Sequence, residues 1–496
     1  MIVEILGAKM LAPYLGTSHF VWTAQITVTL LALASGYYLG GRWVDRSPQL
    51  RPLYLGILGA ALYLCAAVTQ VERVAYACLA LKLATGSLLA SVALFFVPLA
   101  LLATVGPFLV RFLTQSVQSV GGSVGRLTAV STLGSVAGTV LIGYVLIPLL
   151  PNSVTMIVTA GVLMIVAAVY LLVWGRSTKA KWTALVALAV CIGCGLAEHS
   201  RGLWVSARHR ELYRGNSNFG QLQVIEARDA PQRFLLNDYL EQGTYDIAAQ
   251  QSLALFTYML HDLARAYTTN PGDVLCIGLG VGIVPMQFAR EGARVDVVEI
   301  NPAVVPLARQ YFGLQPERLN LTFGDGRLFV NQSRKRYDAI ILDAFLGDSS
   351  PSHLLTREAL TAMRRRLQPG GVLVINCFGD FEPGRDFLVA SLQKTLREVF
   401  SSVRAHSDLD PGQIVNVFFV ASASELVIRR APAFGDVHPF CREKVKAVFA
   451  REVAADPAQG IVLRDDYNPV EYYDAANRER FRRELALSVR ALDPPR

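Results

Sequence analysis

The sequence predicts two folds in one chain: a multi-pass α-helical membrane domain at residues 1–198, then an α/β domain built on a doubly wound parallel sheet. Three observations carry this. Of 496 residues, 52% are apolar and 17% charged, and the mean hydropathy of +0.37 is high for a water-soluble enzyme. Residues 1–198 hold 11 Lys and Arg and 4 Asp and Glu, against 36 and 35 in residues 199–496. Past residue 211 the apolar pattern becomes an alternation of strands and helices. Nearly all of the net charge of +8 sits in the apolar half, so it describes loops beside a bilayer, and excludes both a basic nucleic-acid module and a disordered chain.

Five apolar runs are long enough to cross about 30 Å of hydrocarbon: Phe20 to Gly40, Leu53 to Val71, Ala84 to Thr104, Thr128 to Pro148 and Val154 to Trp174. A sixth, Trp182 to Ala197, is marginal. Met1 to Leu15 is too short to span and lacks the basic start and cleavage site of a signal peptide, which points to a start further upstream. Small residues at Gly125, Ser131, Gly134, Ser135, Gly138 and Gly143 suit close helix packing. Ionisable residues in or beside the runs, apart from their ends, are Glu4, Lys9 and Lys82, fewer than a proton-coupled transporter usually carries. Gly40 to Arg46 resembles a short cytoplasmic loop of major-facilitator transporters. Seven cysteines show no disulfide framework, and Cys191 and Cys194 lie in an apolar run without metal-ligand neighbours.

In the second part, Phe219 to Glu226 and Arg233 to Leu240 alternate with period two and read as a small antiparallel sheet, residues 199–247. Residues 248–496 follow, with a helix at Ala248 to Tyr267. Strands and helices then alternate: Asp273 to Gly278, Val284 to Glu291, Arg294 to Ile300, Ala303 to Phe312, Leu319 to Phe323, Tyr337 to Leu342, Arg357 to Leu367, Gly371 to Asn376 and Phe387 to Phe400. Such alternation makes an α/β, Rossmann-like sheet, which binds ligands at the carboxyl ends of its strands.

Chemistry gathers at those ends. The strand ending at Ile277 runs into Gly278, Gly280 and Gly282, where missing Cβ atoms leave room for a turn and a cofactor. A dinucleotide fingerprint needs its third glycine one residue later, where Ile283 stands, so the loop favours an S-adenosyl cofactor. Glu299 ends the second strand 21 residues after Gly278, placed to accept bonds from two ribose hydroxyls. Asp325, followed by Gly326, comes after the next strand, where an acceptor can take an adenine amino proton. Asp343 closes the strand at Leu342 and faces the space before the cofactor's sulfur. Single acids at such turns are commonly helix caps; here the four elements occur in order.

With these residues in view, Glu211 to Asp474 resembles the spermidine synthases, or polyamine aminopropyltransferases, and the whole chain resembles their bacterial membrane-fused members. The likeness rests on Asn216 to Gly220, Leu236 to Gln242, the glycine loop, Val298 to Asn301, Gly324 to Gly326, Leu342-Asp343 and Leu463 to Val470. It implies a class I S-adenosylmethionine-type fold. It also implies decarboxylated S-adenosylmethionine as co-substrate, an amine such as putrescine as acceptor, methylthioadenosine as product, and no metal. By the same resemblance Gln242 or Glu241 approaches the nucleoside, Glu299 holds the ribose, Asp325 and Gly326 bind adenine, and Asp343 accepts the amine proton. Tyr245, His261 and Asp348 are the candidate amine contacts.

Two departures stand out. The family's glycine loop carries an Asp where this chain has Val281, and its Asp-x-x-Asp strand end reads Asp343-Ala-Phe-Leu346 here. Its Tyr-x-Glu signature on the preceding helix is also missing. Two alternatives therefore stand: a methyltransferase using intact S-adenosylmethionine on a membrane-associated substrate, and a transporter or sensor with a non-catalytic nucleoside- or polyamine-binding domain. The partners expected are a small amine and the lipid bilayer, with no nucleic acid; oligomeric state stays open, a homo-oligomer among the alternatives.

Location is read from two opposed arguments. Arg42, Arg46, Arg51, Arg111, Arg126, Arg176, Lys179 and Lys181 put three loops inside the cell membrane, so a sixth full crossing would carry the catalytic domain outside. Cofactor supply, unpaired cysteines and Arg201, Arg208, Arg210 and Arg214 favour a cytoplasmic domain. The expectation is that Trp182 to Ala197 lies in the interface or re-enters.

Overall fold

A computed structural model describes residues 1–46, 49–114, 120–175, 178–199, 203, 205–268, 270–345, 351–408 and 415–492. The chain divides into two units, Met1–Trp204 and Val205–Arg496, each taken here by itself.

In the first unit α1 (Ile2–Leu15) precedes six helices long and apolar enough to cross a membrane. These are α2 (His19–Arg46), α3 (Leu50–Cys78), α4 (Leu83–Leu113), α5 (Val120–Leu149), α6 (Asn152–Val173) and α7 (Thr178–His199). On α2, Val21, Ala24, Val28, Ala32, Gly36 and Gly40 recur at spacings of three and four, and this small stripe is buried. It lets α4 approach closely: a Cβ on Gly36 would stand 2.3 Å from the Ala100 carbonyl oxygen, and one on Gly40 would meet Thr104. Of the glycines in the stripe expected to pack from the sequence, on α5, Gly138 approaches a neighbour, a Cβ there lying 3.5 Å from Ile2 of α1. α5 buries none of its residues over Val120–Leu141, and Gly125, Gly134 and Gly143 have nothing within 4 Å of an added Cβ.

The sixth run also differs from expectation. α7 is one continuous helix starting at Thr178, so it gains a turn at its amino end and reaches about 33 Å at 1.5 Å per residue. Gly161 faces Cys191, and Ile157 faces Gly195, an antiparallel register that lays α7 along the length of α6.

The second unit opens with a five-stranded antiparallel sheet in the order β1 (His209–Ser217), β2 (Gly220–Ala227), β3 (Gln232–Asn237), β4 (Leu240–Asp246) and β5 (Gln251–Ser252). Sequence reading merged β3 with the start of β4. Between them Asp238 and Tyr239 take positive φ of 45° and 70°, a two-residue hairpin turn whose twist suits the strands. The helix expected from Ala248 starts at Leu255 instead. Asp246 Oδ1 accepts the Ala248 and Ala249 amides, both at 2.8 Å, and Gln250 sits at φ +54°, outside helical geometry.

A seven-stranded sheet follows in the order β11-β12-β10-β9-β6-β7-β8. Its parallel part is β6 (Asp273–Ile277), β7 (Arg294–Glu299), β8 (Asn320–Phe323), β9 (Tyr337–Leu342) and β10 (Leu367–Gly379). β12 (Val415–Ser422) lies antiparallel to β10, and β11 (Ser402–Ser407) antiparallel to β12, so the sheet is mixed where the sequence predicted all parallel. The connecting helices are α8 (Leu255–Tyr267), α9 (Ile283–Arg290), α10 (Val304–Phe312), α11 (Gly326–Gln332), α12 (Arg357–Arg365) and α13 (Phe387–Val399). After the sheet come α14 (Pro439–Ala450), α15 (Val470–Tyr473) and α16 (Ala475–Leu492). Both sheet faces are covered: Ile277, Leu342, Leu373 and Ile375 pack on one, and Cys276, Ile341, Val372 and Val374 on the other.

Gly36→Leu should lower the thermal unfolding temperature of the full-length protein in detergent, by overpacking worth about 1–3 kcal/mol. Gly41→Leu, at a glycine with nothing within 4 Å, should leave it unchanged.

Candidate functional site

Register puts the site together. Ile277 of β6 pairs with Val298 of β7 and with Leu342 of β9, so Gly278, Glu299 and Asp343 emerge side by side at the strand ends. Gly278 adopts φ +100°, and a Cβ on it would stand 2.2 Å from the Asp343 carbonyl oxygen. Two backbones touch there, and no side chain fits between them. Gly280 and Gly282 also have positive φ, the latter turning the loop into α9.

Glu299 is buried and its two oxygens are divided between two amides. Oε2 accepts Leu279 N–H at 2.9 Å and Oε1 accepts Asn301 N–H at 2.7 Å. Burial raises its pKa, and the amides of Asn301, Leu279 and Ile300 oppose that. Each oxygen keeps a further lone pair, as holding a vicinal diol requires.

Asp343 accepts Asn376 Nδ2–H on Oδ1 at 2.9 Å. Burial lifts its pKa to about 6, with the Asn376 bond pulling the other way. A carboxylate tuned to that value is poised to take a proton near neutral pH. The cleft before it is lined by Gln242, Phe256, Thr257, Gly278, Gly280 and Val281. Gln242 thus lines the same cleft as Asp343. Its neighbour Glu241 instead accepts the Thr244 hydroxyl and has its pKa raised by burial.

Asp325 caps α11, taking Leu328 N–H at 2.9 Å on Oδ1, while Oδ2 lies 2.9 Å from His353 Nε2. Burial works against its ionisation, but the Leu328 amide and His353 outweigh it and hold the pKa below the usual range. Gly326 packs on β6, where a Cβ would meet Ile277 at 2.4 Å.

Tyr245 and His261 do not join Asp343. They line a separate cavity of about 430 Å³ with Arg265, Arg290 and Phe434, which meets the cleft at Val281 and Ile283. Burial lowers the His261 pKa, but Asp262 and Glu291, at 3.4 and 3.2 Å, outweigh it and raise it overall. Asp348 lies outside the described residues. Among the described residues no group of three His, Cys, Asp or Glu side chains could hold a metal. Asn376, Phe256 and Thr257 were missed from sequence. Asn376 carried a usable signal, a polar residue closing the apolar run Val372–Ile375, as Asp343 closes its own strand.

Residues 254–424 match the spermine/spermidine synthase domain family. Over 136 residues the chain is 38% identical to a polyamine aminopropyltransferase of Vibrio vulnificus (strain CMCP6), covering 26% of this chain and 46% of that protein. Over 149 residues it is 35% identical to an N-terminal histidine N-methyltransferase of Emericella nidulans, covering 29% of this chain and 26% of that protein. The chain thus spans less than half the length of these relatives. A solved spermidine synthase in complex with the transition-state analogue AdoDATO is 21% identical with a TM-score of 0.40, covering 49% of this chain and 85% of that one.

Asn376→Ala should raise the Asp343 pKa above about 6, because the lost N–H bond favoured the charged carboxylate. A carbon-detected NMR titration of labelled aspartate reads the shift, and an unchanged or lower value contradicts the assignment.

Proposed function

Taking residues 254–424 as a spermine/spermidine synthase domain, we propose that the protein is an aminopropyltransferase, using decarboxylated S-adenosylmethionine and an amine and releasing methylthioadenosine. The observation that carries this is Asp343, with a pKa of about 6, one backbone contact from a glycine loop clasped by Glu299. The amine lone pair attacks the aminopropyl carbon bound to sulfur. A C–N bond forms, the C–S bond breaks with its electron pair to the sulfonium, and Asp343 takes the amine proton. Glu299 is assigned to the ribose hydroxyls, Asp325 and Gly326 to the adenine, and Gln242 to the cleft wall facing the cofactor. The sulfonium is already an activated leaving group, so orientation and proton acceptance are what the chain must supply.

A second reading is methyl transfer from intact S-adenosylmethionine. Val281 favours it, because a neutral side chain there does not repel the carboxylate of the intact cofactor, and the Emericella nidulans relative carries a methyltransferase name.

The first unit is proposed to span the cell membrane with the catalytic unit on the cytoplasmic side, where S-adenosyl compounds are made. That orientation agrees with the Lys and Arg bias of the loops where Trp182 to Ala197 lies in the interface or re-enters, as proposed here; a full crossing of α7 would set the cofactor argument directly against the charge argument. A reporter fused after Arg496 tests it: activity confined to the cytoplasmic form is expected, and a reporter active only outside overturns it.

Asp343→Asn should retain methylthioadenosine affinity while lowering turnover by about 10²–10⁴-fold. In the parent protein kcat/KM should fall about tenfold per unit as pH drops below about 6, since protonated Asp343 accepts no proton; the variant should lose this limb. Normal turnover in the variant would remove Asp343 from the mechanism.

A further inference from the structure

Aromatic side chains follow both Asp343 and its partner Asn376 along the chain. Asn376, the hydrogen-bond partner of Asp343, projects from β10 on the same sheet face as Phe378, two residues on. Phe345, two residues past Asp343, has its ring centroid 4.9 Å from that of Phe378. Phe481 of α16 lies against Phe378 from the other side at 4.5 Å. Phe345, Phe378 and Phe481 are thus linked ring to ring, with Phe345 and Phe378 each two residues past Asp343 and its partner Asn376.

A second, independent feature lies across the cleft. Phe256, which lines the Asp343 cleft, is also a wall of a cavity of about 370 Å³ lined by Leu253, Phe418 and Phe440. Asn416 lines it too, and this residue pairs with Phe378 in the β10–β12 register. The charged groups at this cavity, Asp408 and Lys444, bond to each other at 2.8 Å. The volume falls in the usual range for a small-molecule site.

The acid nearest along β10 is already committed. Asp380 is 1% exposed and lies 2.7 Å from Arg480 and 3.7 Å from Arg385. Among the described residues Asp380 is therefore no free counter-charge for a second ammonium, whose loss of water the ring faces offset only in part.

Resting on the aminopropyl-transfer reading above, we propose that the acceptor is a primary amine carrying an apolar, ring-sized body, and that Phe345, Phe378 and Phe256 select it over a linear diamine. The nitrogen sits at Asp343, and the body packs on the rings and enters the apolar cavity. The chemical step is unchanged: one C–N bond forms, one C–S bond breaks, and Asp343 takes the proton.

The test uses the full-length protein with decarboxylated S-adenosylmethionine and two probe amines, 2-phenylethylamine and putrescine, reading methylthioadenosine release. A kcat/KM at least about tenfold higher for 2-phenylethylamine is expected, within the range that apolar pockets discriminate. Phe378→Asp should move the ratio towards putrescine, and Phe378→Leu should keep it. Putrescine used as well as or better than 2-phenylethylamine overturns the inference while leaving aminopropyl transfer intact. So does a ratio unchanged in a folded Phe378→Asp protein. No methylthioadenosine from either amine, nor from a panel of longer polyamines, overturns the aminopropyl-transfer reading itself.

Discussion

The clasp made by Glu299 is the contact on which the site's geometry depends. One carboxylate oxygen holds the amide of Leu279 in the glycine loop and the other holds the amide of Asn301 after β7. Asn301 in turn donates from Nδ2 to Ser217 Oγ at 3.0 Å, tying the strand end to the first sheet. A buried carboxylate resists ionisation, and backbone amides aimed at it compensate. The charge that organises the loop is thus sustained by the loop it organises. Asp343 depends on the same arrangement, because its carbonyl oxygen presses against Gly278 and its own amide donates to Ile277 O at 3.0 Å.

The two carboxylates share a sheet end and differ in environment. Glu299 meets backbone donors on both oxygens, which suits a binding group. Asp343 has a single side-chain amide to offset its burial, which suits a group that gains and loses a proton. Val281 lies between the Asp343 cleft and the larger cavity that holds Tyr245 and His261, so the glycine loop faces two spaces.

Much of this was legible in the sequence because strand ends are marked by chemistry. Gly278, Glu299 and Asp343 each follow an apolar run, and parallel pairing brings the ends of β6, β7 and β9 together whatever the loops do. The misses have local causes. The break between β3 and β4 depends on two non-glycine residues taking positive φ, Asp238 and Tyr239, which no hydropathy pattern reveals. The early helix start failed because Asp246 fixes a turn through Ala248 and Ala249. β11 and β12 were not expected from the sequence, because Val415–Ser422 is an almost unbroken apolar run with no period-two alternation to mark an antiparallel strand. Tyr245 and His261 were candidate amine contacts because they lie in the region of the family's missing Tyr-x-Glu signature, and the fold sends both to the other cavity. In the first unit small residues mark both α2 and α5, yet the α2 stripe is buried against α4 while on α5 Gly138 alone among the stripe's glycines approaches a neighbour, a matter of which faces adjoin.

The central claim is the transfer of an aminopropyl group, and the identity of the products tests it most directly. Full-length protein would be given equal decarboxylated and intact S-adenosylmethionine together with a primary amine, and the products read by mass spectrometry. The account predicts methylthioadenosine in a one-to-one ratio with aminopropylated amine. S-adenosylhomocysteine in a one-to-one ratio with methylated amine would contradict it.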